Sequence, residues 1–174
     1  MAEVVPGAAA AAQGPHGLLG RVIEGWALLG GMILLGIALM SAWSATSGVV
    51  FNRPLPGDFE LVEMLTAVAV FMFLPYCQLT GANVTADLFT ANASPRTVAL
   101  LTLLSALVAL GFSLLLLWRM YDGLLDYRKY VETTTILRIP IWWAYIPSLA
   151  SLVLLALAAL VTLREAYAGW RGTA

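Results

Sequence analysis

The chain has 174 residues, of which 61% are hydrophobic and 11% charged, with a formal net charge of -1. A soluble domain is usually about 45–50% apolar and about 25% charged, so lipid is the solvent for most of this surface, as the mean hydropathy of +0.88 also requires. No basic cluster invites nucleic acid, and the single cysteine, Cys77, excludes an internal disulfide and any paired-cysteine metal or redox motif.

Residues 1–17, "MAEVVPGAAAAAQGPHG", carry no amphipathic pattern and read as a mobile tail holding the only histidine, His16. Residues 18–165 read as one transmembrane domain and 166–174 as a short C-terminal tail. The apolar run that opens the domain is too long for a secretory core and lacks a small-residue cleavage site, so it is not read as a cleaved signal.

Four runs are long enough to cross a bilayer, which takes about 20 residues. The first is Val22 to Ala45, with Trp26 and Trp43 spaced to sit in two interfacial belts. Its pairs Ala27/Gly31, Ala38/Ala42 and Ser41/Ala45 are small residues four apart, which let helices approach closely in lipid. Pro54, Pro56 and Gly57 make the following segment a turn-rich loop.

The second run, Leu61 to about Leu79, is preceded by four charges, Arg53, Asp58, Glu60 and Glu63. Asp58 is placed to cap this helix, and acidic groups in a first turn favour the positive end of the helix dipole. Glu60 and Glu63, three apart, share a helical face. Glu63 lies a turn deeper, where an ionisable group is expected to be paired or to face another protein. Arg53 is the nearest cation in sequence, so a folded-back loop pairing Arg53 with Glu60 or Glu63 is expected. Tyr76, Thr80, Asn83 and Asp87 then fall on one stripe if the helix runs that far. The stripe reads equally as an interfacial end or as a polar edge shared with a partner.

The third run is Val98 to Trp118, and "RMYDGLLDYRKYVETTT" after it has helix formers, partial amphipathicity and no proline. Either the third helix continues past the membrane, or a separate helix lies on the surface between the third and fourth spans. The fourth run, Ile141 to Leu163, opens on an aromatic belt of Trp142, Trp143 and Tyr145, with Pro147 in its first turns. The fold class is therefore all-α, a polytopic membrane protein with four transmembrane helices. An even number of spans puts both termini on one side. Lysine and arginine do not decide which side, because four fall in the loops of one side and five in those of the other.

No metalloprotease, hydrolase or nucleotide-binding motif is present, and one histidine outside the spans cannot ligate haem from two sides. No span carries a charge at its centre, as a chain moving ions or protons by itself normally would. No span is broken in mid-membrane, as transporter cores often are. These features describe a non-enzymatic helper, without cofactor or metal, to a machine located elsewhere.

The segment "FNRPLPGDFELVEMLTAVAVFMFLPYCQLTGANVTADLF" resembles the second-helix region of the small membrane subunit of tripartite ATP-independent periplasmic (TRAP) transporters, the DctQ-like family. The shared features are an arginine in the first loop, an acidic residue opening the helix and a polar exit toward an aspartate, here Asp87. "TTILRIPIWWAYIPSLASLVLLAL" is similar to the family's last helix. Many members carry histidine where this chain has Asn83. The resemblance implies a large sodium-coupled permease subunit and a periplasmic solute-binding protein for organic acids as partners. It implies an inner-membrane location with both termini cytoplasmic, and a role in scaffolding the large subunit and helping the binding protein dock. Arg53, Glu60, Glu63, Tyr76, Asn83 and Asp87 form the candidate polar or subunit-interface set. The alternatives are a membrane anchor for a redox enzyme, against which the missing haem ligands count, and a small self-sufficient multidrug exporter. The exporter would need a central carboxylate, and Glu24 lies too near the end of its span.

Overall fold

The computed structural model describes residues 17–81 and 95–172. Four helices account for nearly all of them: α1 (Leu18–Phe51), α2 (Asp58–Thr80), α3 (Pro95–Tyr130) and α4 (Trp142–Gly172). Each is long and apolar enough to span a membrane. With 34 residues in α1 and 36 in α3, these helices extend about 50 Å, well beyond a hydrocarbon core of about 30 Å. Both therefore tilt strongly or project into the interface.

In space α1 packs on α2, α2 on α4, and α4 on α3. The helices thus follow the order 1-2-4-3, with α2 and α4 as the inner pair and α1 and α3 on the flanks. Burial differs most between α4, 39% of whose most apolar window is buried, and α3, with only 11%, while α1 and α2 are equal at 22%. The core is built from small and medium side chains, Ile23, Ala27, Val68, Ala69, Met72, Leu152, Ala158 and Ala159 among them. Small residues let backbones approach without a water-driven hydrophobic term, which lipid does not supply. α1 and α2 approach closely at Gly30, where a Cβ would stand 3.0 Å from the Met72 Cβ and 3.4 Å from the Ala69 carbonyl oxygen.

Side-chain hydrogen bonds also tie helices together. Trp26 Nε1–H donates to Ser151 Oγ at 2.8 Å, joining α1 to α4. Gln78 Nε2–H donates to Thr162 Oγ1 at 3.2 Å, joining α2 to α4. Trp26 is thus turned inward on a buried serine rather than set in an interfacial belt, whereas Trp43 is 64% exposed.

The helix ends explain the connections. Asn52 stops α1 in the left-handed region at φ 52°, and the Arg53 N–H reaches back to the Ser47 carbonyl to close the end. Gly57, at φ 78°, caps α2, so Asp58 is its first helical residue and not its cap. Gly81, at φ 65°, ends α2 just after Thr80. The stripe expected to run from Tyr76 to Asp87 is therefore cut there. Asn83 and Asp87 lie outside the described residues. So does the tail before residue 17.

The expected surface helix between the third and fourth spans is not formed. α3 instead continues unbroken to Tyr130, and residues 131–141 fold as a short hairpin. Thr133 pairs antiparallel with Pro140, and the Thr134 N–H and the Ile139 carbonyl share a 2.9 Å bond. The physical reason is local. The run "VETTTI" is rich in β-branched residues, which favour extended backbone, and Pro140 cannot continue a helix.

Candidate functional site at the Asp58 end

Of the polar residues singled out from the sequence, Arg53, Glu60 and Glu63 lie at the end of the bundle where α2 begins, and the two loops found there are braced against each other. The 52–57 loop folds back along α1. Pro54 lies against Gly48, where a Cβ would be 3.6 Å from the Pro54 Cβ. Ser44, 2% exposed, holds both sides of the turn: its hydroxyl donates to Asp58 Oδ2, and its oxygen accepts the Leu55 N–H at 3.2 Å. A buried hydroxyl that both donates and accepts is left with no unsatisfied polar group, and nothing in the α1 sequence alone marks Ser44 for this.

Glu60 reaches across to the hairpin. Its two carboxylate oxygens accept the N–H groups of Ile136 at 2.6 Å and Leu137 at 3.0 Å. Successive backbone amides at a turn form a ready anion seat, and the carboxylate fills it. Leu137 in turn lies on Gly57. A Cβ there would overlap the Leu137 Cγ, so both the left-handed backbone and the contact require glycine. The hairpin is entered at Val131, and its return arm is preceded by Arg138, both at positive φ. For a β-branched residue such as Val131 this conformation is costly and persists only where its surroundings impose it.

α3 and α4 are clamped just below the hairpin. The rings of Tyr127 and Tyr145 lie 5.2 Å apart, and the Arg128 guanidinium sits 5.6 Å over the Trp142 ring. Gly123 leaves room for Tyr145, whose Cε1 would be 3.2 Å from a Cβ at that position.

The expected pairing of Arg53 is not seen. Among the described residues no ion pair joins Arg53 to Glu60 or Glu63, and both Arg53 and Glu63 are exposed. The charges are divided differently: Asp58 goes to Ser44, Glu60 to the hairpin backbone, and Glu63 to no partner among the described residues. Tyr76 is 40% exposed at the far end of α2, where its carbonyl accepts the Thr80 hydroxyl. It is well separated along the helix from the Asp58 cluster.

Removing the Glu60 carboxylate should release the hairpin selectively. In Glu60→Ala the amides of Ile136 and Leu137 are expected to exchange hydrogen much faster, with Glu60→Gln intermediate because it keeps one acceptor oxygen. Amides inside α3 and α4 should be unaffected. Hydrogen-exchange mass spectrometry in detergent reads this directly. Unchanged exchange across 134–139 in Glu60→Ala would show that the carboxylate does not hold the turn.

A second feature is an apolar groove of about 580 Å³ between α1, α2 and α4, lined by Trp26, Met32, Met64, Met72, Trp143 and Pro147 among others. Its lining carries no ionisable group, so it offers shape and dispersion contacts but no acid–base chemistry. Among the described residues no group of histidine, cysteine, aspartate and glutamate side chains could hold a metal ion.

This arrangement is that of a braced membrane body. No curated protein and no solved structure matches the chain. The profile of one family matches residues 37–169, from the middle of α1 almost to the end of α4, and its description is "Tripartite ATP-independent periplasmic transporters, DctQ component". The chain belongs to this family and is the small membrane component of a TRAP transporter.

Proposed function

We propose that this small permease subunit serves as a fixed wall for the large permease subunit of an inner-membrane importer, and does no chemistry of its own. Its Asp58 end faces the periplasm and both termini face the cytoplasm. The periplasmic solute-binding protein docks partly on the 52–57 loop and the 131–141 hairpin. The solute class is organic acids, carried with sodium through the large subunit.

The observation that carries this reading is the cross-bracing of the two loops through Ser44, Glu60 and the Gly57–Leu137 contact. A part that must stay still while its partner moves needs its loops locked to its helices. The remaining features agree. The groove has no charged lining to bind an ion or an organic anion. Nothing in it favours the exporter reading, which requires a carboxylate facing a cavity.

The test is reconstitution. Proteoliposomes holding this chain alone should show no saturable sodium-dependent uptake of organic acids. Adding the large subunit and the solute-binding protein should produce it, and leaving out this chain should abolish it. Saturable uptake by the chain alone would overturn the helper role. Full uptake without it would overturn the requirement.

A further inference from the structure

Of the three carboxylates that open α2, two are used within the chain. Asp58 accepts the Ser44 hydroxyl, and Glu60 accepts two hairpin amides. Glu63 stands about 7–8 Å further along the helix axis than Asp58, in a helix long and apolar enough to span the membrane. It is exposed and has no partner among the described residues. The cations in the loops at this end, Arg53 and Arg138, are also exposed and do not pair with it.

Glu63 belongs to a distinct face of α2. Phe59, Glu63, Ala67 and Val70 follow at i, i+4, i+8 and i+11, and all four are exposed, Phe59 by 83% and Val70 by 51%. Val68, Ala69, Met72 and Pro75 on the other side of the helix are buried. This face therefore offers one carboxylate set among apolar side chains on an inner helix of the row. Ionisable groups within membrane spans are costly facing lipid, and they typically pair or face protein.

We propose that this face of α2 is covered by a membrane helix of the large permease subunit, and that Glu63 pairs there with an arginine or lysine at the same depth. The proposal rests on the reading of the chain as a wall for that subunit, and names the surface and the charge it uses. Charge complementarity selects the occupant. A second copy packed two-fold through this face would bring Glu63 against Glu63, and like charges at the boundary repel. A helix carrying a guanidinium satisfies both carboxylate oxygens in one planar contact, which a point charge on a mobile lipid headgroup does less well.

The experiment uses the full chain, affinity-tagged and co-expressed with its large subunit. A photo-crosslinking amino acid at Ala67 or Val70 should give adducts with the large subunit, and the crosslinked peptide should hold or adjoin an arginine or lysine. Glu63→Gln should lower recovery of the large subunit about tenfold or more, while the melting temperature of the isolated chain stays as wild type. Glu63→Arg should lower it further. Combining Glu63→Arg with an acidic residue in place of the crosslinked cation should restore recovery. Wild-type recovery in Glu63→Gln, or adducts only with lipid or with a second copy, overturns the proposal. A wild-type chain that recovers no large subunit overturns the parent reading as well, so the two failures are distinguishable.

Discussion

A Gly57→Ala chain is expected to lose about 2–5 kcal/mol of stability in detergent and to release the 131–141 hairpin. Two costs add. Gly57 sits at φ 78°, where an L side chain costs roughly 1–2 kcal/mol. Its Cβ would also overlap the Leu137 Cγ, and forcing an added methyl into a filled space typically costs about 1–3 kcal/mol. The contact occurs at the branch point of the leucine, so rotating its end does not relieve it. The Leu137 amide is one of the two held by Glu60, and moving the residue away from Gly57 pulls it off the carboxylate as well.

The two costs separate in a double-mutant cycle. Leu137→Ala removes the clash and leaves the backbone cost, so in that background Gly57→Ala should cost only about 1–2 kcal/mol. The thermal midpoints of the four proteins measure this. If Gly57→Ala costs the same with and without Leu137, the loop-to-hairpin contact does not exist in solution, and the bracing proposed for the wall fails with it.

How much of this was legible in the sequence differs from element to element. The four spans were, because hydropathy reports directly on what lipid accepts. Their ends were not: the apolar run Val22 to Ala45 became a helix from Leu18 to Phe51, since a helix is bounded by its hydrogen bonds and stops at Asn52, not where the hydrocarbon ends. The hairpin carried a signal in its β-branched run and Pro140, which the helix-forming stretch before it outweighed.

The acidic residues that open α2 stood out by their residue types, but their partners were not legible. Glu60 binds main-chain amides 76 and 77 residues away, and a backbone N–H has no signature in sequence. Arg53 was the nearest cation along the chain, but nearness in sequence did not bring it to a carboxylate. Ser44 was invisible for the same reason: among several serines of α1, only the fold of the 52–57 loop selects the one that meets Asp58. Gly30 carried a weak signal, as one of many small residues in a helix rich in them.

Gly30 is where the second large effect is expected. Gly30→Leu should lower the thermal midpoint sharply, by roughly 1–3 kcal/mol or more, because the space beyond its Cα is already filled. The first added atom would stand 3.0 Å from the Met72 Cβ and 3.4 Å from the Ala69 carbonyl oxygen, and the latter is backbone that cannot turn aside. The rest of the leucine side chain has no place unless α1 moves off α2. Gly30→Ala should be milder, needing a shift of only a few tenths of an ångström. Gly36 supplies the control, since a Cβ there meets nothing within 4 Å. Gly36→Leu in the isolated chain should be neutral or stabilising, as leucine is a better helix former than glycine by up to about 1 kcal/mol. The displacement should also be felt about 21 Å away along α1, where Ser44 holds Asp58 and Leu55. The Leu55 amide, protected in the wild type by Ser44, should therefore exchange faster in Gly30→Leu and not in Gly36→Leu. Equal stability of the two leucine variants would mean that α1 and α2 do not meet at Gly30. The expected stability loss in Gly30→Leu without faster Leu55 exchange would mean that α1 bends at the site, and that the loop bracing is independent of how the two helices pack.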